Sequence, residues 1–151
     1  EVLKNSLNRK SFVTAVYGIV DLKNGILNFV RAGHPPVIYC SEGKIERLLP
    51  SGLGLGLDYS NGFANSLKEM QINLKNGDII AFYSDGIPEA KNAEYKDYGY
   101  DRLEKIIQKN CDKTLDEISN EIIKDLTIFS KDNTQHDDIT LVLFRWHSSK
   151  N

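Results

Sequence analysis

The sequence predicts an α+β fold of mostly antiparallel strands, and three observations lead to it. Short segments rich in Val, Ile, Tyr and Phe fill the first half and are separated by turn residues. Two helical stripes follow late in the chain, and one more apolar segment comes after them. That order, strands first and helices late, is typical of an α+β protein, and 151 residues predict one domain, residues 1–151.

Composition excludes several classes of protein. The hydrophobic fraction is 40%, the charged fraction 26% and the net charge −2, so no basic surface for nucleic acid is expected. No signal peptide is visible and no apolar run approaches the roughly 18 residues of a membrane span, which favours a cytoplasmic protein. Cys40 and Cys111 lie far apart and are expected to be reduced thiols.

The first half reads as strands joined by turns. Residues 1–9, which start without Met, look like the end of a helix and suggest a fragment of a longer protein. The Asn24-Gly25 turn predicts a hairpin, because Asn-Gly tolerates the backbone of tight turns. The prolines after His34 interrupt pairing. Strands are predicted at 12–22, 26–31, 37–40, 44–49 and 68–74.

Two connections separate these strands from the centre of the chain. Residues 50–57 are glycine-rich and could cradle a phosphate, but without a Gly-Lys-Ser/Thr ending a pliable connection is the better interpretation. Residues 58–66 read as an irregular loop. The Asn76-Gly77 turn predicts a second hairpin, joining the strand at 68–74 to the next one.

The stretch 79–86 organises the rest. Its apolar residues occupy both faces of a strand, which predicts burial on both sides, and Asp85-Gly86 ends it. Near the C-terminus Asp137 and Asp138 come just before an apolar strand at 139–144. If the two strands are antiparallel neighbours, Asp85 and Asp137 converge on one rim, where two carboxylates repel unless a proton or cation lies between them.

Two helices are predicted between these strands. The first covers 101–110. The second runs from Leu115 to about Phe129, with Thr114 as N-cap and Glu117 as its capping-box partner. Its predicted buried face consists of Ile118, Ile122, Ile123, Leu126 and Phe129.

Each candidate site residue also has a structural interpretation. Asp85 could end a turn and Asp137 could cap a loop, but rigid carboxylates beside apolar strands suit Mg²⁺ or Mn²⁺. Glu89 could be a further acid at the site or a loop salt bridge. His34 could be a ligand or general acid, although beside two prolines it reads better as a turn residue.

Two further residues near the candidate acids were weighed. His136 could also be a ligand or a general acid. Ser84 has no partnered base in the sequence and is not expected to be a nucleophile. The acids therefore carry the chemical prediction.

Several motifs between Phe12 and Trp146 then become recognisable together. They are Ala32-Gly33-His34-Pro35-Pro36, Gly54-Leu55-Gly56-Leu57, Asn76-Gly77-Asp78, Tyr83-Ser84-Asp85-Gly86-Ile87-Pro88-Glu89-Ala90 and Asp137-Asp138-Ile139-Thr140. In this order and approximate spacing they resemble SpoIIE/RsbU-type serine phosphatases of the metal-dependent protein phosphatase (PPM) superfamily.

The resemblance implies a fold, a cofactor and a substrate. The implied fold is an α-β-β-α sandwich of two stacked antiparallel sheets flanked by helices, with Mn²⁺ or Mg²⁺ at its rim. The implied reaction is dephosphorylation of phosphoserine or phosphothreonine on a small anti-anti-sigma-factor-like protein in bacterial partner-switching signalling. The metal ligands implied by motif position are Asp85 and Asp137. Supporting roles are implied for Gly86, Glu89, Asp138 and His34.

The sequence departs from the family pattern upstream. An earlier acidic motif and an Asp-containing segment ending Gly-His-Gly are absent from these residues, so the chain is expected to be a C-terminal portion, incomplete at its N-terminus. Attack of water on phosphorus with two cations is then expected to fail in this chain alone. Exposed sheet edges would need a partner chain or a second copy, as in a homodimer.

Three interpretations stay open at this point. The first is the phosphatase portion, with a sensor domain upstream in the parent chain. The second is a phosphatase-like module that binds protein without catalysis, which the missing upstream acids would favour. The third is another divalent-metal phosphoesterase, against which the lack of a His-rich ligand set argues.

Overall fold

The computed structural model describes residues 11–57, 62–131, 133 and 137–148. Antiparallel strands followed by two longer helices confirm the predicted α+β class. The strands are β1 Ala15–Asp21, β2 Ile26–Ala32, β3 Val37–Ser41, β4 Lys44–Leu48, β5 Met70–Asn73, β6 Ile79–Tyr83 and β7 Leu141–Arg145; the helices are α1 Gly62–Ser66, α2 Tyr100–Lys109 and α3 Leu115–Phe129.

Contacts divide the chain into two compact units. The first takes in residues 1–34 and 49–74, and the second takes in 35–48 and 75–151. Each unit contains one antiparallel sheet, with strand order β1-β2-β5 in the first and β4-β3-β6-β7 in the second. The assignment of 1–151 to one domain stays a prediction.

The first unit is built on the predicted hairpin of β1 and β2. Asp21 shapes its turn, because Oδ1 accepts hydrogen bonds from the amides of Lys23 and Asn24 at 2.9 and 3.1 Å. The glycine-rich connection packs against the end of β2. A Cβ on Gly52 would lie 1.8 Å from the Arg31 carbonyl oxygen, so only glycine permits this approach.

The second unit has β6 at its centre. β6 pairs with β3 on one side and with β7 on the other, and four of its five residues are buried. α2 and α3 add Leu103, Ile107, Ile118 and Ile122 to this core, each 0% exposed. The prediction of a strand buried on both faces is confirmed.

Helix α3 begins as the sequence predicts. Thr114 Oγ1 accepts a hydrogen bond from the Glu117 amide at 3.2 Å, and Glu117 Oε2 accepts one from the Thr114 amide at 2.9 Å. This capping box satisfies two backbone donors at the helix start. In the described ranges, no helix combines the length and the apolar character needed to cross a membrane.

Three predictions are wrong. Asn76-Gly77 does not close a hairpin, because β5 pairs with β2 while β6 belongs to the other sheet. Residues 62–66 form helix α1 instead of loop. Ile123 is 43% exposed, since the core is filled by its neighbours on α3. The helix expected at 1–9 and His136 lie outside the described residues.

Candidate functional site

The register of β6 and β7 brings together the two acidic segments, one containing Asp85 and the other containing Asp137 and Asp138. Tyr83, the last residue of β6, pairs with Leu141, the first residue of β7. The chain therefore continues into Ser84 and Asp85 at the rim where Asp138 and Thr140 enter. The predicted antiparallel pairing is confirmed, and with it the convergence of the two segments.

Ser84 fastens these segments to each other. Its amide donates to the Thr140 carbonyl oxygen at 3.0 Å, and its Oγ accepts from the Thr140 amide at 2.9 Å. The same hydroxyl donates to the Asp138 carbonyl oxygen at 2.9 Å. The serine that sequence reasoning set aside as a nucleophile thus has a positioning role.

Gly86 permits the closest approach of the two segments. A Cβ at this position would lie 2.5 Å from the Asp138 carbonyl oxygen and 3.4 Å from that of Asp137. Both neighbours are backbone atoms and cannot swing aside. Any larger residue would push the Asp85 segment away from the Asp137 segment.

The turn after Asp85 is held by backbone hydrogen bonds and by one buried side chain. The Glu89 amide donates to the Asp85 carbonyl oxygen at 2.9 Å, and Ile87 is 0% exposed within the core. Further along, the amide of Tyr98 donates to the Ala90 carbonyl oxygen at 2.8 Å. The backbone of Asp85 is therefore held between a buried strand and a buried turn.

A cluster on α2 and α3 braces the same turn. Arg102 donates twice to the Asp125 carboxylate, at 2.5 and 2.9 Å, and the Tyr98 hydroxyl donates to it at 2.8 Å. The Arg102 guanidinium, followed by the Tyr98 hydroxyl, holds the pKa of Asp125 below its ordinary value. Burial and Asp125 raise the pKa of Tyr98, so this phenol stays protonated.

The second unit contains a cleft of about 1020 Å³ along this rim. Its lining includes the predicted residues Asp85, Gly86, Glu89, Asp137 and Asp138. A second group of lining residues comes from the end of α3 and the residues after it. Those residues are Ile123, Leu126, Thr127, Ser130, Lys131 and Asn133.

The predicted site residues differ in their surroundings. Asp85 is half-buried, whereas Glu89, Asp137 and Asp138 are exposed. Asp137 Oδ1 accepts a hydrogen bond from the Asp138 amide at 2.8 Å, which orients its carboxylate. His34 lies in the first unit, where its carbonyl oxygen accepts a hydrogen bond from Arg31 Nη1 at 2.6 Å.

The donor chemistry of the cleft suits a hard divalent cation in part. Asp85 and Asp137 offer carboxylate oxygens on one rim, which Mg²⁺ and Mn²⁺ prefer. Among the described residues no group of three or more His, Cys, Asp or Glu side chains is placed to hold a metal ion. The two aspartates therefore fit as members of a cation site to which further ligands must be added.

Sequence reasoning missed the lining residues outside the acidic segments. Ile123 was assigned to the core, and Lys91 and Lys131 carried no signal beyond their charge. That the Asp85 and Asp137 regions share one cleft with α3 depends on contacts between distant residues, as in the bond from Asn133 Nδ2 to the Asn92 carbonyl oxygen at 3.0 Å, with a sequence separation of 41. Local patterns carry no record of such contacts.

Comparison with known proteins gives a family. A model described as Stage II sporulation protein E (SpoIIE) matches residues 1–147. Protein IcfG of Synechocystis is 32% identical over 136 residues, covering 87% of this chain and 20% of that protein. Phosphoserine phosphatase RsbU of Bacillus subtilis is 26% identical over 147 residues, covering 95% of this chain and 42% of that protein.

A solved structure supports the fold. The phosphatase domain of SpoIIE from Bacillus subtilis, presoaked with Mn, matches with a TM-score of 0.68 at 20% identity. The match covers 91% of this chain and 58% of that one. The chain thus spans about a fifth to two fifths of the curated relatives and somewhat over half of the phosphatase domain.

Proposed function

The chain belongs to the SpoIIE family of PPM-type phosphatases, and on that premise we propose that it acts in metal-dependent hydrolysis of phosphoserine or phosphothreonine on a protein. One observation carries the proposal. Asp85 and Asp137 line one cleft, on segments joined through Ser84 and Gly86. Carboxylates fixed in this way are what a phosphatase needs to bind cations beside a phosphate.

We propose Asp85 and Asp137 as metal ligands for Mn²⁺ or Mg²⁺. When bound, such a cation supplies charge neutralisation at the phosphoryl oxygens and activation of the attacking water. The chain's own residues hold the ligands in place. Ser84 and Gly86 set the spacing of the two segments, and Asp138 orients Asp137 through its amide.

Further supporting roles are proposed for two residues. Glu89 is exposed on the cleft, where its carboxylate is available to orient water or a cation-bound group. His34 lies in the first unit and is not part of the cleft lining, so its supporting role stays a prediction from the Gly-His-Pro-Pro motif alone. Both roles are secondary to those of the two aspartates.

The substrate and setting are part of the same proposal. The relative RsbU is named a phosphoserine phosphatase, which supports a phosphoserine substrate for this chain. The finer expectation is a phosphorylated regulatory protein of the anti-anti-sigma-factor type, dephosphorylated in bacterial cytoplasm under an upstream sensor domain. Pairing with a second copy of the chain is one way to complete the site.

The test is Mn²⁺ binding by calorimetry, together with Mn²⁺-dependent hydrolysis of a phosphoserine peptide by the protein that contains this chain. Asp85→Asn and Asp137→Asn are each expected to lower Mn²⁺ affinity at least tenfold and to lower turnover by 100-fold or more, on the order of a lost ligand's effect. Asp116→Asn, an exposed acid in the first turn of α3, is the matched control.

Two results would contradict the proposal. Wild-type Mn²⁺ affinity in both cleft variants would remove these aspartates from the metal site. Hydrolysis and metal binding absent from the unmodified protein as well would favour the interpretation as a protein-binding module.

A further inference from the structure

Part of the cleft lining comes from α3 and the residues after it, and we call this part the α3 wall. Ile123 in this wall is 43% exposed, although its position on α3 predicts a core residue. Leu126 also lines the cleft but is only 4% exposed, and apolar Ile139 lines it directly after Asp138. An exposed apolar side chain that lines a cleft is a candidate contact for a ligand.

The polar side chains of this wall are already satisfied by the helix. Thr127 Oγ1 donates to the Ile123 carbonyl oxygen at 2.7 Å, and Ser130 Oγ donates to that of Leu126 at 2.9 Å. Their donor groups are used within α3. These two donors are therefore not available to an incoming ligand, and Ile123 is the exposed apolar side chain of the α3 wall.

Two lysine side chains also line the cleft. Lys131 follows α3 and is exposed, and Lys91 lies next to the turn of Asp85. Lys91 Nζ is paired with Asp97 Oδ1 at 2.5 Å. No carboxylate among the described residues forms an ion pair with Lys131, so it is the cation that an acidic ligand would meet.

The cleft is larger than a phosphate group requires. Its volume of about 1020 Å³ lies at the upper end of the range of roughly 300–1,000 Å³ that accommodates drug-sized ligands. Besides the acids, its lining includes Ile123 and Lys131, so the cleft offers contacts beyond those that a phosphate group needs. Several residues of a substrate can occupy it.

We propose that the α3 wall, formed by Ile123, Leu126 and Lys131, binds the residues next to the phosphoserine of a protein substrate. The segment it fits has a large apolar residue and a carboxylate flanking the phosphoserine. This inference rests on the proposed function, because it assumes that the phosphoserine lies at Asp85 and Asp137. Apolar contact gives affinity and Lys131 gives charge selectivity.

The test is binding of two fluorescein-labelled phosphoserine peptides, measured by anisotropy with Mn²⁺ present. In one, leucines and glutamates flank the phosphoserine; in the other, glycines and glutamines do. The first is expected to bind about tenfold more tightly. Ile123→Ser and Lys131→Glu should each reduce that preference about threefold, since each removes one of two recognition elements.

Matched controls lie on the same helix. Ile128 is 62% exposed and Lys124 is exposed, and neither lines the cleft. Ile128→Ser and Lys124→Glu should leave the preference unchanged. Thermal unfolding by circular dichroism checks that all four variants fold, which exposed positions favour.

The outcomes separate this inference from the proposed function. An unchanged preference in both cleft variants would overturn it. A dimeric wild type that Ile123→Ser converts to a monomer, measured by sedimentation, would also overturn it, because a second copy would then occupy the wall. If the peptide preference depends on Ile123 and Lys131 but no hydrolysis is seen, the binding role of the wall is supported. Only the proposed phosphatase activity is then contradicted.

Discussion

The two acidic segments of the cleft are held in different ways. Asp85 follows β6, where Ile80 is 0% exposed, and precedes Ile87, which is also 0% exposed. Asp137 is exposed, and Val142 in the strand after it is 52% exposed. The core holds the backbone on both sides of Asp85, whereas the Asp137 segment contacts Ser84 and lies close to Gly86.

This difference indicates which part of the site is more sensitive to substitution. Burial on both sides of Asp85 makes its position a consequence of folding. The Asp137 segment depends on Ser84 and on the close approach at Gly86. Changes in those contacts should therefore displace Asp137 while leaving β6 intact.

Gly86→Ala should have the largest effect. Its Cβ would lie 2.5 Å from the Asp138 carbonyl oxygen, so the segments must separate. We expect the free energy of unfolding to fall by about 2–3 kcal/mol and Mn²⁺ affinity to be lost, measured by urea unfolding and calorimetry. Gly18→Ala is the control, since its Cβ would meet nothing closer than 3.3 Å. Unfolding and metal binding like wild type would refute the steric argument.

Ser84→Ala should have a smaller effect, confined to the Asp137 segment. The variant loses the hydroxyl bonds to Thr140 and Asp138. A loss of about 1–2 kcal/mol is expected, with faster amide exchange at 137–141 and unchanged exchange in β6, measured by hydrogen–deuterium mass spectrometry. Ser119→Ala on α3 is the control. Equally accelerated amide exchange at 137–141 and in β6 would contradict the difference between the two segments.

Asp125→Asn tests the brace behind the Asp85 turn. A loss of about 1 kcal/mol is expected at pH 7, because the ion pair with Arg102 is partly exposed. The pKa of Asp125 is lowered in the folded state, so its carboxylate stabilises the fold above its unfolded pKa of about 4. That contribution is lost as pH falls through the lowered value.

The measurement is denaturant unfolding of wild type and Asp125→Asn between pH 2 and 7. The difference between them should shrink below pH 4, while Asp112→Asn, an exposed acid, should show little difference at any pH. A difference independent of pH would mean that packing, and not the charge, holds the turn.

The smallest expected effect is a difference in alkylation rate between Cys40 and Cys111, which tests how tightly the core beside β6 is closed. Burial, followed by the neighbouring Cys111, raises the pKa of the Cys40 thiol to about 11. Because the thiolate is the reactive form, iodoacetamide should modify half-buried Cys111 first at pH 8. Modification of Cys40, followed by mass spectrometry, should speed up as pH approaches 11. Equal rates at pH 8 would show that the core opens more readily than its burial implies.

The sequence was most informative where signals are local. The Asn24-Gly25 hairpin, the Thr114 capping box and the double-sided burial of β6 each depend on neighbouring residues, and all are confirmed. The acid-glycine ending of β6 also pointed to the cleft. The roles of Asp85 and Asp137 as metal ligands stay predictions that the experiments above address.

The sequence was least informative where the outcome depends on competition between distant partners. An Asn-Gly turn at 76–77 is compatible with a hairpin, but pairing of β5 with β2 excludes it. Ile123 fits the apolar stripe of α3, yet Ile122 and Leu126 fill the core and leave it exposed. Nothing within a few residues of either position shows which partner is preferred.

By itself, the sequence determined the class of fold, the order of the strands and of the two longer helices, and the residue types at the rim. These follow from side-chain period, turn chemistry and capping, which act over a few residues. Only the tertiary structure decided that Ser84 would meet Thr140, 56 residues away, that Gly86 would touch Asp138, and that Ile123 would face a cleft. Those contacts depend on the pairing of β6 with β7 and on the volume of the core, which are set by the whole chain at once.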